Sequence, residues 1–362
     1  MTSLPDDLPT LEVSPGPSRA EPLPQDRPVG WGVLATGKIA TAFVKNLALL
    51  EECRLAAVGA RRQESADAFA REHGVARAYG DYRAVVEDPA VDVVYVATPH
   101  SLHREHVELA LEAGKPVLCE KALTLDAADA EHLVAMARER NLFLMEAMWM
   151  RCNPLVRRLQ QLLGAGTLGE VRQIRADIGF VVDKPPTDRL LDPRLGGGAL
   201  LDMGIYPLTF ASLFLGEPSE VHATAALSGR GVDLNLAVSL GYHSGAVAAL
   251  TASMTAWSPR TASIATDRGR IDVPAPFHAP RAVTWTAHDT DPDLGAAPDP
   301  VELSEDLIGT GLAHEALEVV RCLRSGETES PLVPLDDTVA LMRQMDRIRG
   351  LIGLRYEGDP PG

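Results

Sequence analysis

Cysteine is scarce in this 362-residue chain: Cys53, Cys119, Cys152 and Cys322 are all it has, and they lie far apart. None forms a C-x-x-C spacing, which removes the zinc-ribbon and dithiol readings and leaves reduced, buried thiols of a cytoplasmic protein as the expectation. Basic residues are in deficit, 34 against 50 acidic, for a formal charge of −16. That balance repels phosphate backbones and anionic bilayer surfaces, so no nucleic acid and no membrane is expected as a partner. No run approaches the roughly 18 to 20 uninterrupted apolar residues of a membrane helix. A secretory leader pattern is missing too: residues 1–27 lack an apolar core and carry Pro5, Pro9, Pro15, Pro17, Pro22 and Pro24 among acidic residues. Such a composition does not offset the entropy of ordering, so this segment is expected to be a disordered tail, dispensable for folding and turnover. No G-x-S-x-G elbow or comparable nucleophile motif supports a serine hydrolase.

What is present has an ordinary globular composition, 46% hydrophobic and 23% charged, and is long enough for two domains. Short apolar runs at 29–34, 55–60, 91–97, 116–119 and 142–145, with a shorter one near Ala78, alternate with amphipathic stretches such as 102–113 and 127–140. Strands and helices alternating around a parallel sheet read this way, so residues 28–148 are assigned to a doubly wound, Rossmann-type α/β domain. Past Trp149 the texture changes. A helical segment over 154–163 and a strand over 171–182 precede a glycine cluster that opens an apolar helix over 196–215. Runs such as 234–242 and 246–254 then succeed one another across turns like His243-Ser244-Gly245, the pattern of a large antiparallel sheet. Helices over 313–323 and 336–352 close an α+β domain spanning 149–362, in which 288–300, rich in Asp, Pro and Ala, reads as an exposed loop.

The first strand runs into Ala35-Thr36-Gly37-Lys38-Ile39-Ala40, where dinucleotide-binding folds place G-x-G-x-x-G/A so that helix amides face the pyrophosphate. Gly37, the glycine that lets backbone approach phosphate, is kept, and Ala40 is small enough for close packing. Ala35, Thr36, Gly37, Lys38 and Ile39 are therefore candidate cofactor contacts. The second strand ends in Gly59-Ala60-Arg61-Arg62. A carboxylate there would accept from the adenosine ribose; its absence, with two guanidiniums following, points to a 2′-phosphate and hence to NADP, with NAD as the alternative.

Three further features converge. Cys119-Glu120-Lys121 follows the fifth strand, Gly196-Gly197-Gly198-Ala199-Leu200-Leu201-Asp202-Met203-Gly204-Ile205-Tyr206 sets Asp202 and Tyr206 four apart on one helical face, and a closing run extends from Glu315 to Arg355. With Glu146-Ala147-Met148-Trp149, these resemble the Gfo/Idh/MocA oxidoreductases, in the branch of the dimeric dihydrodiol dehydrogenases and glucose-fructose oxidoreductases, over about residues 28–355. The resemblance implies a hydride transfer between nicotinamide and a secondary alcohol or carbonyl of a sugar, sugar derivative or vicinal diol, by a homo-oligomer, dimeric or tetrameric. It makes Lys121 the catalytic lysine, Asp202 a substrate-orienting carboxylate and Tyr206 the acid/base residue, and it sets Thr98, His100, His103, Glu120 and Lys121 along the cofactor. Two positions depart from the family pattern: Ala122 stands where proline normally follows the lysine, leaving the backbone that aims Lys121 less constrained, and Ala35 replaces the first fingerprint glycine.

The residue chemistry agrees. Oxidising a secondary alcohol needs a base within hydrogen-bond reach of the hydroxyl. A tyrosine titrating near 10 serves as that base only beside a cation that favours phenolate, and Lys121 is the candidate for it and for stabilising an alkoxide. His100, His103 and His106 suggest a metal cluster at first sight, but successive steps of three rotate around a helix, and no metal is expected. Two alternatives share the fold: an NAD-dependent glycoside hydrolase, and a non-enzymatic dinucleotide-binding co-regulator, which would be expected to lose the lysine or acid/base residue retained here.

Overall fold

The computed structural model describes residues 20–288 and 299–356. Six parallel strands form the first sheet: β1 (Val29–Leu34), β2 (Cys53–Gly59), β3 (Arg77–Tyr79), β4 (Val93–Val96), β5 (Val117–Glu120) and β6 (Leu144–Ala147), in the order β3-β2-β1-β4-β5-β6. Every residue of β1, β4, β5 and β6 is buried, because helices cover both faces; such strands read as unbroken apolar runs rather than alternations. The covering helices are α1 (Lys38–Leu47), α2 (Gln63–His73), α3 (Tyr82–Val86), α4 (His103–Glu112) and α5 (Ala127–Arg140). α5 starts where Asp126 accepts the Asp129 amide and stops at Asn141 in the left-handed region, the two local signals that end a helix cleanly. The strand order reverses between β1 and β4, and a crevice opens there at the carboxyl edge of the sheet.

After α6 (Trp149–Cys152) and α7 (Pro154–Gly164), whose start is capped by Asn153, the chain builds a second sheet. Its strands are β7 (Val171–Gly179), β8 (Glu220–Leu227), β9 (Asp233–Gly241), β10 (Val247–Ser253), β11 (Ala262–Thr266), β12 (Gly269–Val273), β13 (Ala282–Ala287) and β14 (Val301–Ser304), ordered β14-β13-β12-β11-β7-β10-β9-β8. All neighbours are antiparallel except β7 and β10, so the expected antiparallel sheet holds apart from one parallel pair. Alternation is strict on β9 and β10: Leu236, Val238, Leu240, Ala248, Leu250 and Ala252 are buried, while Ala237, Ser239, Ala249 and Thr251 are exposed. The buried face is covered by α8 (Ile205–Leu215), which lies across β7 and β10. The apolar stretch Pro193–Leu215 has the composition of a membrane span, but 72% of its most apolar window is buried inside the fold, as in a core helix.

The last two helices, α9 (Leu312–Ser325) and α10 (Leu335–Ile352), return to the first sheet. α9 packs on α1, and α10 packs on α5, where Asp346 accepts the Ala127 amide at 2.8 Å. Packing therefore does not divide at residue 148 as the sequence texture does. The tail expectation also needs correction in part. Residues 20–27 are docked: the Ala20 and Leu23 amides donate to Gly326 and Leu323, and Arg27 pairs with Asp92 at 2.6 Å. Residues 1–19 of that tail, and 289–298 of the expected loop, lie outside the described residues.

Candidate active site

A cleft of about 1130 Å³ runs along the carboxyl edge of the first sheet to the glycine-rich segment before α8. All the residues singled out above as cofactor contacts or reactive groups border it.

At the nucleotide end, the turn from β1 to α1 presents backbone. Ala35 sits at φ 92°, a conformation that favours glycine, which is how the chain keeps the fingerprint turn without the first glycine. Gly37 is the N-cap of α1; no side chain caps the helix, and its first turn holds no acidic residue. A Cβ built on Gly37 would meet nothing within 4 Å. Uncapped amides, open space and Lys38 together fit a pyrophosphate, since helix N-termini favour anions that supply the missing acceptors. Arg61 and Arg62 follow β2 as exposed residues on the cleft wall, with Ser65 and Tyr82 beside them. Arg62 contacts the Ser65 hydroxyl at 3.4 Å, and among the described residues neither arginine pairs with Glu64.

Midway, two histidines brace the walls. The His103 ring nitrogens lie 2.8 Å from the Thr98 carbonyl and 2.9 Å from the Ala122 carbonyl; those of His100 lie 3.0 Å from Gly196 and 3.1 Å from Lys121. Burial lowers their pKa to about 4 for His100 and about 3 for His103, so each is neutral near pH 7 and donates to one carbonyl at a time. His106 spends Nδ1 on the Thr98 hydroxyl at 3.0 Å. His100 and His103 thus tie backbone segments together, and His106 holds the Thr98 side chain. Next to Lys121, Glu120 takes a short hydrogen bond from the Tyr95 hydroxyl, and burial raises its pKa. The Lys121–Ala122 peptide is cis.

At the far end Lys121, Asp202 and Tyr206 meet, nearly buried. The Lys121 ammonium donates to the Asp202 carbonyl at 2.6 Å, lies 3.7 Å from Asp202 Oδ1 and stands 4.8 Å above the centre of the Tyr206 ring. Asp202 lies within a single π-helical turn, Leu200–Gly204, that precedes α8. The residue pattern gave no hint of that turn; it is set from outside by Asp233, whose buried Oδ2 accepts the Leu200 amide at 2.7 Å. A side chain at Gly198, at φ 132°, would press its Cβ to 2.0 Å from Asp233 Oδ1, so the cluster needs glycine there.

Charge follows contact. Burial works to raise the Asp202 pKa, but Lys121 and Arg189 outweigh it and hold the carboxyl well below its usual range. Burial works to lower that of Lys121, and Tyr206, as it ionises, with the carboxylates of Asp202 and Glu120 more than compensate, so the ammonium persists. Tyr206 departs from expectation: Lys121 does favour its phenolate, yet burial prevails and raises the pKa, leaving a phenol. The site holds its proton on tyrosine.

Several residues join this group to which the motifs assign no role. Trp149 Nε1 donates to the Tyr206 hydroxyl at 2.9 Å; its motif was visible but suggested no role. Arg189 donates to Asp202 Oδ1 at 3.0 Å from the loop 188–194, whose polar residues beside the glycine cluster suggest a border of the substrate cleft but no role for this side chain. His278, between β12 and β13, packs on the Tyr206 ring at 4.7 Å, and Ile178, Phe180 and Leu190 supply an apolar wall. No local pattern marks these.

A fold that offers helix amides to a pyrophosphate at one end of a cleft, and a buried proton donor beside a lysine at the other, is that of a dinucleotide-dependent oxidoreductase. The chain belongs to the GFO/IDH/MocA family: residues 29–148 match its oxidoreductase domain with NAD-binding Rossmann fold, and residues 156–272 match the GFO/IDH/MocA C-terminal domain. It is 36% identical over 330 residues to the trans-1,2-dihydrobenzene-1,2-diol dehydrogenase of Xenopus tropicalis, covering 90% of this chain and 98% of that one. The human enzyme of the same name is 35% identical over 333 residues, 91% and 98% of the two chains. Among solved structures, a 3-ketoreductase of Actinomadura kijaniata in complex with NADP and TDP-benzene superposes with a TM-score of 0.78 at 28% identity, over 90% of this chain and 98% of that one. An aldose-aldose oxidoreductase of Caulobacter crescentus gives 0.79 at 28% identity, over 90% and 97%.

Proposed function

We propose that this oxidoreductase prefers NADP and interconverts a vicinal diol, or the equivalent pair of hydroxyls on a sugar, with the corresponding hydroxyketone. The observation that carries the reading is the contact group of Lys121, Asp202 and Tyr206, nearly buried in a cleft that Arg61 and Arg62 line as exposed residues. Its relatives' names support the diol, and the NADP complex of a neighbour supports the cofactor.

In this reading the bound nicotinamide supplies the hydride acceptor or donor. Tyr206, a phenol at rest, gives its proton to the carbonyl oxygen in reduction and takes it back from the hydroxyl in oxidation. Lys121, 4.8 Å above the Tyr206 ring, stabilises whichever oxygen carries the negative charge. Trp149 holds the Tyr206 hydroxyl in place by its 2.9 Å bond. Asp202 accepts from the second hydroxyl, which is what makes a diol preferable to a simple alcohol. Ile178, Phe180 and Leu190 receive the apolar face of the ring.

The test is a panel of vicinal diols, aldoses and ketoses assayed with each cofactor by absorbance of the reduced nicotinamide. Stoichiometric reduction of free NADP by a diol supports the reading; glycoside cleavage without net change in free cofactor, or cofactor binding with no turnover, opposes it. We also infer a homo-oligomer formed through the outer face of the second sheet, where Ala237, Val247, Ala249 and Thr251 stand exposed on adjacent strands. Sedimentation of a dilute sample showing only monomer would remove that inference.

A further inference from the structure

We infer that Arg189 is a positioning residue of this reaction, acting through Asp202: it fixes carboxylate Oδ1 so that Oδ2 is left for the substrate hydroxyl. The inference rests on the diol activity proposed above.

The geometry assigns this role to Arg189 alone. Among the described residues, Arg189 Nη1 gives the one hydrogen bond that the Asp202 side chain accepts, at 3.0 Å. Lys121 does not share it: its close bond goes to the Asp202 backbone carbonyl at 2.6 Å, and its ammonium stays 3.7 Å from Oδ1. Both cations thus lie on the Oδ1 side. A carboxylate held by one oxygen and attracted on the same side by an ammonium has a fixed plane, and its second oxygen keeps its lone pairs for a donor in the cleft.

Arg189 is not needed to fold its own loop. The segment between β7 and α8 carries separate ties: Leu190 N to Asp188 Oδ1 at 3.1 Å, Gly198 N to Leu190 O at 3.0 Å, Gly197 N to Asp192 O at 3.1 Å, and the Arg194–Asp192 pair at 2.7 Å. The Arg189 side chain is 48% exposed against 12% for Asp202, so it reaches from solvent into a buried group. With one partner half-exposed the pair adds only modestly to stability, and what it supplies to the site is orientation.

The groups facing Asp202 are few. Lys121 comes from the end of β5, His100 from the turn before α4, and Arg189 from the loop; Tyr206 on α8 and Glu120 on β5 face it through Lys121. His100 is neutral above about pH 4, so in the working range Lys121 and Arg189 are the cations that keep Asp202 ionised.

The experiment uses Arg189→Ala, Arg189→Gln and Arg189→Lys in the full chain. The first readout is the carboxyl carbon resonance of Asp202, assigned by its loss in Asp202→Asn, followed with pH. Removing the guanidinium should move its midpoint up by about one unit or more, with Arg189→Lys in between. The second is steady-state turnover of a diol with NADP: KM for the diol should rise about tenfold in Arg189→Ala, the loss of one charged hydrogen bond. NADP affinity should stay near wild type, melting temperature should fall by no more than the few degrees that such a rise in the Asp202 midpoint implies, and free guanidinium should restore part of the loss. An unmoved Asp202 titration in Arg189→Ala overturns the proposal, as does an equal loss in all three variants without rescue. The titration needs no substrate, so it decides the role of Arg189 even where the wild type turns over no diol, a result that would count against the activity alone.

Discussion

The two ends of the cleft hold their charges under opposite conditions. At the nucleotide end Lys38, Arg61 and Arg62 are exposed, unpaired with any carboxylate among the described residues, and carried by two short stretches of sequence. At the reactive end Lys121, Asp202 and Tyr206 are withdrawn from water and neutralise one another across more than eighty positions of chain. Exposed cations wait for a ligand to complete them and tolerate loss; buried ones are already complete, and removing one leaves the others uncompensated. Substitutions at the two ends should therefore differ in kind as well as size.

The largest effect is expected at the reactive end. Tyr206→Phe and Lys121→Ala should each lower kcat by about 10² to 10⁴-fold, the usual contribution of acid/base groups, with NADP affinity nearly unchanged. Stopped-flow turnover together with a fluorescence titration of the cofactor checks both halves. A near-normal kcat in Tyr206→Phe would pass the proton role to Lys121.

The floor beneath Lys121 offers a second break. Glu146 is buried, accepting the Leu123 amide at 3.0 Å and the Thr338 hydroxyl at 3.2 Å, and burial raises its pKa to about 7. The folded value lies above the unfolded one, so the folded state holds this proton between about pH 4.5 and 7. Stability from this group is complete below that window and is lost as pH rises through 7. Glu146→Gln keeps both contacts without the charge, so it should flatten urea-unfolding stability across the window and gain on the order of 3 kcal/mol at pH 8. A wild-type slope in the variant would place the titration elsewhere.

At the nucleotide end the expected changes are smaller. Arg61→Ala should reduce the ratio of kcat/KM for NADP over NAD by about ten- to a hundred-fold, the value of one charge-assisted contact to phosphate, with kcat little changed. A wild type that favours NAD, or one indifferent to losing either arginine, would mark the pair as ordinary surface residues.

The same contrast explains what could be read from sequence. The first sheet was legible almost strand by strand, because strands buried on both faces leave unbroken apolar runs, and so was the lining of the Arg61 end of the cleft, because its residues are contiguous in sequence. Lys121, Asp202 and Tyr206 were reachable only through motif positions. Arg189 and His278 were not, since a guanidinium in a polar loop and a histidine before Ala279-Pro280 acquire meaning only when the second sheet brings them to the cleft. The π-helical turn depends on Asp233, thirty-one residues beyond Asp202, a distance over which periodicity carries no information. The docking of residues 20–27 rests chiefly on backbone bonds to α9, which composition does not report.

The smallest effect sharpens the comparison at one residue. Ala35 holds φ 92°, where an L side chain costs about 1 to 2 kcal/mol, and its amide still reaches the Gly59 carbonyl at 3.0 Å. Glycine there removes the strain but has more chain entropy to lose on folding, roughly 0.5 to 1 kcal/mol. The balance favours Ala35→Gly by about half to one kcal/mol, a rise of one to a few degrees in melting temperature. Cofactor affinity should hold, because in the reading proposed above the amides offered to the pyrophosphate are those of Gly37 and the start of α1, whereas the residue 35 amide already donates to Gly59. Ala35→Val, with a branched side chain at positive φ, should lower both. If Ala35→Gly instead melts earlier, the methyl group contributes packing that outweighs the strain, and the nucleotide end would then share with the reactive end a dependence on buried contacts that its exposed charges do not suggest.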